Sequence, residues 1–116
     1  MDFRNYYYVP VNFFETPEMV LIDHEPNGDS ATVLVLALAK IHTRTVTKND
    51  DGTFTIVTDD GTFTDTEVME MLSSFDYRAN PSKYIHALAV VARFPPFDYL
   101  AYSDEERDAK TPEGYR

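Results

Sequence analysis

From Val33 to Ile41, within the stretch ATVLVLALAKIHTR, the chain is apolar on nearly every side of a helix. A helix without a water-facing side belongs at the centre of a core, because any face turned to solvent would leave apolar surface wet. The uninterrupted apolar run, Val33 to Ala39, is far too short for a bilayer, which takes roughly 20 such residues. The rest of the chain must therefore wrap this segment, and 116 residues with 43% hydrophobic and 14% aromatic side chains suffice for one domain with a real core.

Immediately after this helix the period changes. TRTVT and TFTIVT alternate every second residue and flank Asn49-Asp50-Asp51-Gly52, a four-residue hairpin loop. Phe54 and Ile56 share one face of the second strand, while the other face is mostly threonine. Helix and hairpin together make the class α+β, mainly helical.

The other helices carry explicit start signals. TPEMVLIDH opens with Thr16 as N-cap, Pro17 at the first helical position and Glu18 beside the positive helix end, and Pro26 and Asn27-Gly28 stop it. Asp29 or Ser30 is expected to cap the central helix. In FTDTEVMEMLSSF, Thr64 and Glu67 form a capping box, Phe63 and Val68 stand at staple positions, and Val68, Met71, Leu72 and Phe75 make one buried stripe that Met69 widens. Asn80 caps and Pro81 begins a fourth helix, whose Tyr84, Leu88 and Val91 share a stripe with Ile85 and Ala92 beside it. Pro95-Pro96 end that helix, and FDYLAY is expected to be a final strand. The tail from Ser103 reads as a frayed helix or a disordered end.

Composition and spacing exclude several functions. A net charge of −10 disfavours bulk nucleic-acid binding and anionic membranes, both of which need Lys and Arg. The absence of cysteine removes disulfides and thiolate chemistry. No basic region followed by an apolar run opens the chain, so no signal peptide is expected. His24, His42 and His86 fall on three different expected helices without metal-ligand spacing, so no metal or other cofactor is expected. The twice-used DDGTFT, beginning at Asp50 and Asp59, lacks the alternating acids and closing Glu of an EF-hand loop and reads as two turns. No nucleophile elbow or glycine-rich phosphate loop is present, and Asp65 and Glu67 are accounted for by helix-start electrostatics; no catalysis is expected.

Two surfaces stand out. Phe3 to Phe14 is an aromatic arm around Pro10, and its Tyr6, Tyr7, Tyr8, Phe13 and Phe14 either pack on their own core or form a self-association surface. Arg78, Lys83, His86 and Arg93 make a locally basic patch at the fourth helix, either a solvated face or a DNA-contacting one.

The order of these pieces resembles the N-terminal domain of phage replisome organisers, the DnaD-like replication initiation proteins. The likeness covers residues 6 to 100 and rests on VNFFE, IDHEPNGDSATVLVLALAKI, FTDTEVMEML and YIHALAVVARF. It implies a winged-helix domain, residues 1–102, with four helices, followed by a charged tail, residues 103–116; this chain departs from the family in an extra Thr-rich hairpin, Thr43 to Thr58, and in FPPFDYLAY, a short C-terminal wing strand in place of the compact wing. It further implies homo-oligomerisation through the N-terminal segment and wing, docking to replication proteins such as a helicase loader or helicase, and a place in the bacterial host cytoplasm, away from membranes. Two other functions fit parts of the sequence. One is a sequence-specific winged-helix transcriptional regulator using the basic patch. The other is an acidic phage protein that inhibits a host nucleic-acid-binding protein, its Asp-rich loops and DEERD standing in for phosphates.

Overall fold

The computed structural model describes residues 7–72 and 79–110. Within them the chain is α+β. A 3-10 turn (Phe13–Glu15) leads into α1 (Pro17–His24) and α2 (Gly28–Lys40); strands β1 (Thr43–Lys48), β2 (Phe54–Thr58) and β3 (Gly61–Thr64) follow; then come α3 (Asp65–Met71), α4 (Pro81–Arg93), a 3-10 turn (Phe97–Tyr99) and α5 (Asp104–Lys110).

The apolar helix takes the central position its sequence demands. In α2, Ala31, Leu34, Val35, Leu38 and Ala39 are wholly buried, and the helix packs against α1, α4 and β1. Each large side chain so buried contributes about 1.5–3 kcal/mol. Val33 is the exception at 51% exposed. α2 also begins earlier than Asp29 or Ser30 would have it: Asn27 is the N-cap residue with φ 61°, and the helix starts at Gly28 without a side-chain cap. The reason is the tight approach of α1, since a Cβ on Gly28 would lie 2.5 Å from the Ile22 carbonyl oxygen. Only glycine lets the two helices meet there.

The strands form one antiparallel sheet in the order β1-β2-β3. Phe54 and Ile56 of β2 are buried with Val46 of β1, as the alternation requires. The second DDGTFT does more than turn the chain. Its Gly61–Thr64 pairs with β2, Phe63 opposite Ile56, so both copies close hairpins of a single meander. Thr43 pairs with Thr58 and Thr45 with Val57, which makes Arg44 the extra residue of a β-bulge.

The start signals of α3 and α4 hold. Thr64 Oγ1 accepts from the Glu67 N–H at 3.1 Å while Glu67 accepts from the Thr64 N–H at 3.0 Å, the full capping box. Asn80 accepts from the Lys83 N–H at 3.2 Å and Pro81 opens α4. Thr16 stands before α1, but its hydroxyl donates to the Phe13 carbonyl and makes no cap bond. Val68 and Leu72 are buried, as are Tyr84, Leu88 and Val91. Met71 corrects the expected stripe, being 42% exposed at the last position of α3; Phe75 lies outside the described residues.

The expected final strand is a correction too. Phe97–Tyr99 is a 3-10 turn that buries Phe97, and of FDYLAY only Ala101 makes a bridge, to Tyr8 of the arm. Pro96, with φ −98° and ψ 7°, is in a turn conformation and not an extended one, and the 3-10 turn follows directly from it. The charged segment after it takes the helical alternative over Asp104–Lys110.

Candidate functional site

Three chain segments converge where β1 begins. α2 ends at Lys40, and His42 follows with φ 55°, the left-handed conformation that closes helix C-termini; its N–H reaches the Ala39 carbonyl at 2.9 Å. His42 is therefore outside the helix that its spacing suggested. Its ring stacks on Tyr102 at 4.5 Å and 12°, which offsets the roughly 1 kcal/mol that a side chain pays for this backbone region.

The bulge next to it turns Arg44 toward two carboxylates. Nε and Nη2 bond Asp59 at 2.6 and 3.0 Å, Nη1 bonds both oxygens of Glu106 at 2.9 and 2.8 Å, and the guanidinium carbon lies 4.6 Å from the Tyr102 ring centre. The Asp59 hydrogen bond, with Glu106 adding to it, binds the Arg44 proton still more firmly than usual. Burial works against the Glu106 charge, but Arg44, Lys110 and the Tyr102 N–H outweigh it, so this carboxyl titrates below its ordinary range. Burial pushes the Tyr102 phenol well above its ordinary range, and its proton goes to the Thr43 carbonyl at 2.8 Å. Every charge in this cluster faces an opposite one, so it clamps α5 to the sheet rather than holding a reactive group in readiness.

Beside the clamp runs a groove of about 590 Å³ between the arm and α5, lined by Tyr8, Val9, Pro10, Val11, Asn12, Asp98, Tyr99, Ala101, Arg107 and Lys110. That is the size of a small-molecule site, but such sites need convergent polar groups aimed inward. Here the cations are engaged along the wall: Arg107 with Asp108 and over the Tyr8 ring, Lys110 with Glu106 and the Leu100 carbonyl. The Tyr8 hydroxyl donates to Asp104. Beside the exposed Asn12, Asp98, Arg107 and Lys110, the arm presents apolar surface outward: Val11 is fully exposed and Val9 39% exposed.

The expected arm residues divide accordingly. Phe13 is wholly buried and is a correction to the proposed surface, since the 3-10 turn points it into the core against Phe14, 5.4 Å away edge-on. Tyr7 is half-buried and packs on the core; Tyr8 is half-buried at the groove; Phe14 is 55% exposed. Tyr6 lies outside the described residues. Val9 and Val11 are surface residues that aromatic density in YYYVPVNFF obscured; their alternation about Pro10 was the available signal.

On α4, His86 and Arg93 are exposed and Lys83 is half-buried. Arg93 is bonded to Glu25 at 2.8 Å and lies over the Phe94 ring. Arg78 is outside the described residues. The structure keeps the histidines apart, on α1, after α2 and on α4. Among the described residues no three His, Cys, Asp or Glu side chains gather around a possible metal, and no helix is long and apolar enough to cross a membrane. No protein-family model, curated protein or solved structure matches the chain.

Proposed function

We propose that the chain is a non-catalytic docking module that associates with a second copy of itself through its N-terminal arm, in the role of a phage-type replication initiation protein that the sequence resemblance implies. The observation that carries self-association is Val11, fully exposed beside Val9 and the apolar groove. An exposed apolar strip next to a concave apolar wall is costly to leave in water and complementary to itself about a two-fold axis. The cations nearby are engaged, Arg107 with Asp108 and Lys110 with Glu106, which supports docking over chemistry.

The winged-helix reading draws its support from the succession of α3 and α4, between which the Tyr84 hydroxyl donates to the Asp65 carbonyl at 2.7 Å. The meander precedes this pair instead of following it, so the proposed docking does not depend on a wing. Duplex binding has less support, because Arg93 is engaged by Glu25 and the net charge is −10.

Light scattering tests the reading. The protein is expected to form a dimer or larger oligomer at high micromolar concentration, and Val9→Ser with Val11→Ser should return it to monomer. A strict monomer at that concentration overturns it.

A further inference from the structure

A second apolar surface lies on the opposite side of Phe14's turn, between α1 and α2. A cleft of about 230 Å³ is lined by Phe14, Met19, Val20, Asp23, His24 and Thr32. Two of its lining residues are exposed apolar side chains, Phe14 at 55% and Val20 at 41%, and Val33, next in the chain to the lining Thr32, is 51% exposed. The volume is below the roughly 300 Å³ at which small-molecule sites begin, and suits a single anchoring side chain. Its inner polar groups are already satisfied within their own helices: His24 Nδ1 meets the Val20 carbonyl at 2.8 Å, and the Thr32 hydroxyl donates to the Gly28 carbonyl at 2.9 Å.

Charge identifies the occupant. Between Arg4 and Lys40 the sequence contains no Lys or Arg, while Glu15, Glu18, Asp23, Glu25 and Asp29 all fall in this stretch. Glu25 is engaged by Arg93 and Glu18 by the Tyr99 hydroxyl, and Asp23 and Asp29 are exposed. Asp23 follows Val20 by three residues and Asp29 precedes Val33 by four, so each carboxylate stands on the same helix face as an exposed valine. The result is an apolar strip with acids along it and no cation of its own on either helix before Lys40. A second copy presenting the same face would set carboxylate against carboxylate. A helix that carries apolar residues at i, i+3, i+4 and i+7 and Lys or Arg on its flanks matches both features.

We infer that the α1–α2 face is a docking site for a basic amphipathic helix of another protein, Phe14, Val20 and Val33 gripping its apolar side and Asp23 and Asp29 its cations. This cleft shares no lining residue with the groove beside Val9 and Val11.

The test uses a fluorescent peptide with leucines at helical spacing and lysines elsewhere, a scrambled peptide of the same composition, and a peptide with glutamate in place of lysine. Anisotropy should rise only with the first. Binding should weaken about ten-fold in the Val20→Ser, Val33→Ser double variant, the loss of two apolar anchors, and should weaken with added salt and in Asp23→Asn, Asp29→Asn. Both variants change exposed positions, and circular dichroism checks that they remain folded. Val9→Ser with Val11→Ser should leave peptide binding intact even where it abolishes self-association, which separates the two readings. Equal binding of the scrambled peptide, indifference to Val20→Ser and Val33→Ser, or a loss of self-association caused by Val33→Ser would each overturn the proposal, the last by showing that a second copy covers this face.

Discussion

Arg44 and Glu106, 62 residues apart in the chain, share two hydrogen bonds at 2.8 and 2.9 Å. They fasten the last helix to the first strand. Arg44 also holds Asp59, so one guanidinium joins three elements. The pair is partly exposed, 36% for Arg44 and 24% for Glu106, and solvent screening limits what it contributes. Arg44→Met should therefore lower stability by only about 1 kcal/mol, or about 5 °C in Tm. Hydrogen exchange of the Asp104–Lys110 amides should accelerate well beyond that of β2. Unchanged exchange in α5 would show that the clamp does not hold the helix.

Tyr102 makes stability fall at high pH. Its phenol ordinarily titrates at 10.0, and burial raises it in the folded chain. Below 10.0 both states keep the proton and the contribution is whole. As the pH climbs beyond that, the unfolded chain ionises while the folded one does not, and stability drops until the folded pKa is passed. Denaturant titrations of Tyr102→Phe should show a shallower alkaline decline than wild type. At neutral pH the same variant should lose about 1–2 kcal/mol, because the Thr43 carbonyl loses its donor. An identical alkaline slope in both proteins would assign the decline to other tyrosines.

Two glycines should respond very unequally to the same substitution. A Cβ at Gly28 would meet the backbone of Ile22 and Asp23 at 2.5–2.8 Å, and neither helix can yield without opening the α1–α2 contact. Gly28→Ala should cost about 3 kcal/mol, the upper part of the overpacking range. Gly52 has φ +89° but nothing within 4 Å. Gly52→Ala should cost only the backbone strain, about 1 kcal/mol, and leave core packing untouched. Thermal melts of the two variants rank them directly.

Those differences also explain what could be read from the chain. The capping box at Thr64 and Glu67 and the Asn80-Pro81 start depend on residues three positions apart, and such local chemistry is visible in sequence. The start of α2 is not, because Asn27 and Gly28 take their conformations from α1 passing beneath. β3 was hidden for a similar reason: GTFT is a turn-and-cap by itself and a strand only once Ile56 lies opposite Phe63. The arm is the sharpest case, since Phe13 and Phe14 are neighbours in sequence yet one is wholly buried and the other 55% exposed. Which ring turns inward is decided by the 3-10 turn, whose Thr16 N–H bonds the Phe13 carbonyl at 3.2 Å. The bulge at Arg44 faces Asp59 and Glu106, both distant in sequence, and no local pattern announces it.

The repeated DDGTFT should not respond to calcium, because Asp51 and Asp59, one carboxylate of each copy, already have partners inside the fold. Asp51 accepts from the Thr53 N–H at 3.0 Å and the Thr53 hydroxyl at 2.6 Å, which lowers its pKa, and Asp59 holds Arg44. Asp65, just past the second copy, accepts from the Phe54 N–H of the first at 2.9 Å. A calcium ion would have to strip these bonds and still find six or more oxygens. Millimolar calcium should therefore shift the melt no more than magnesium does. Asp65→Ala should lower stability by about 1–2 kcal/mol, since it leaves the Phe54 N–H unmet between β2 and α3. A calcium-specific rise of several degrees, lost in Asp51→Asn, would instead make the repeat a ligand site.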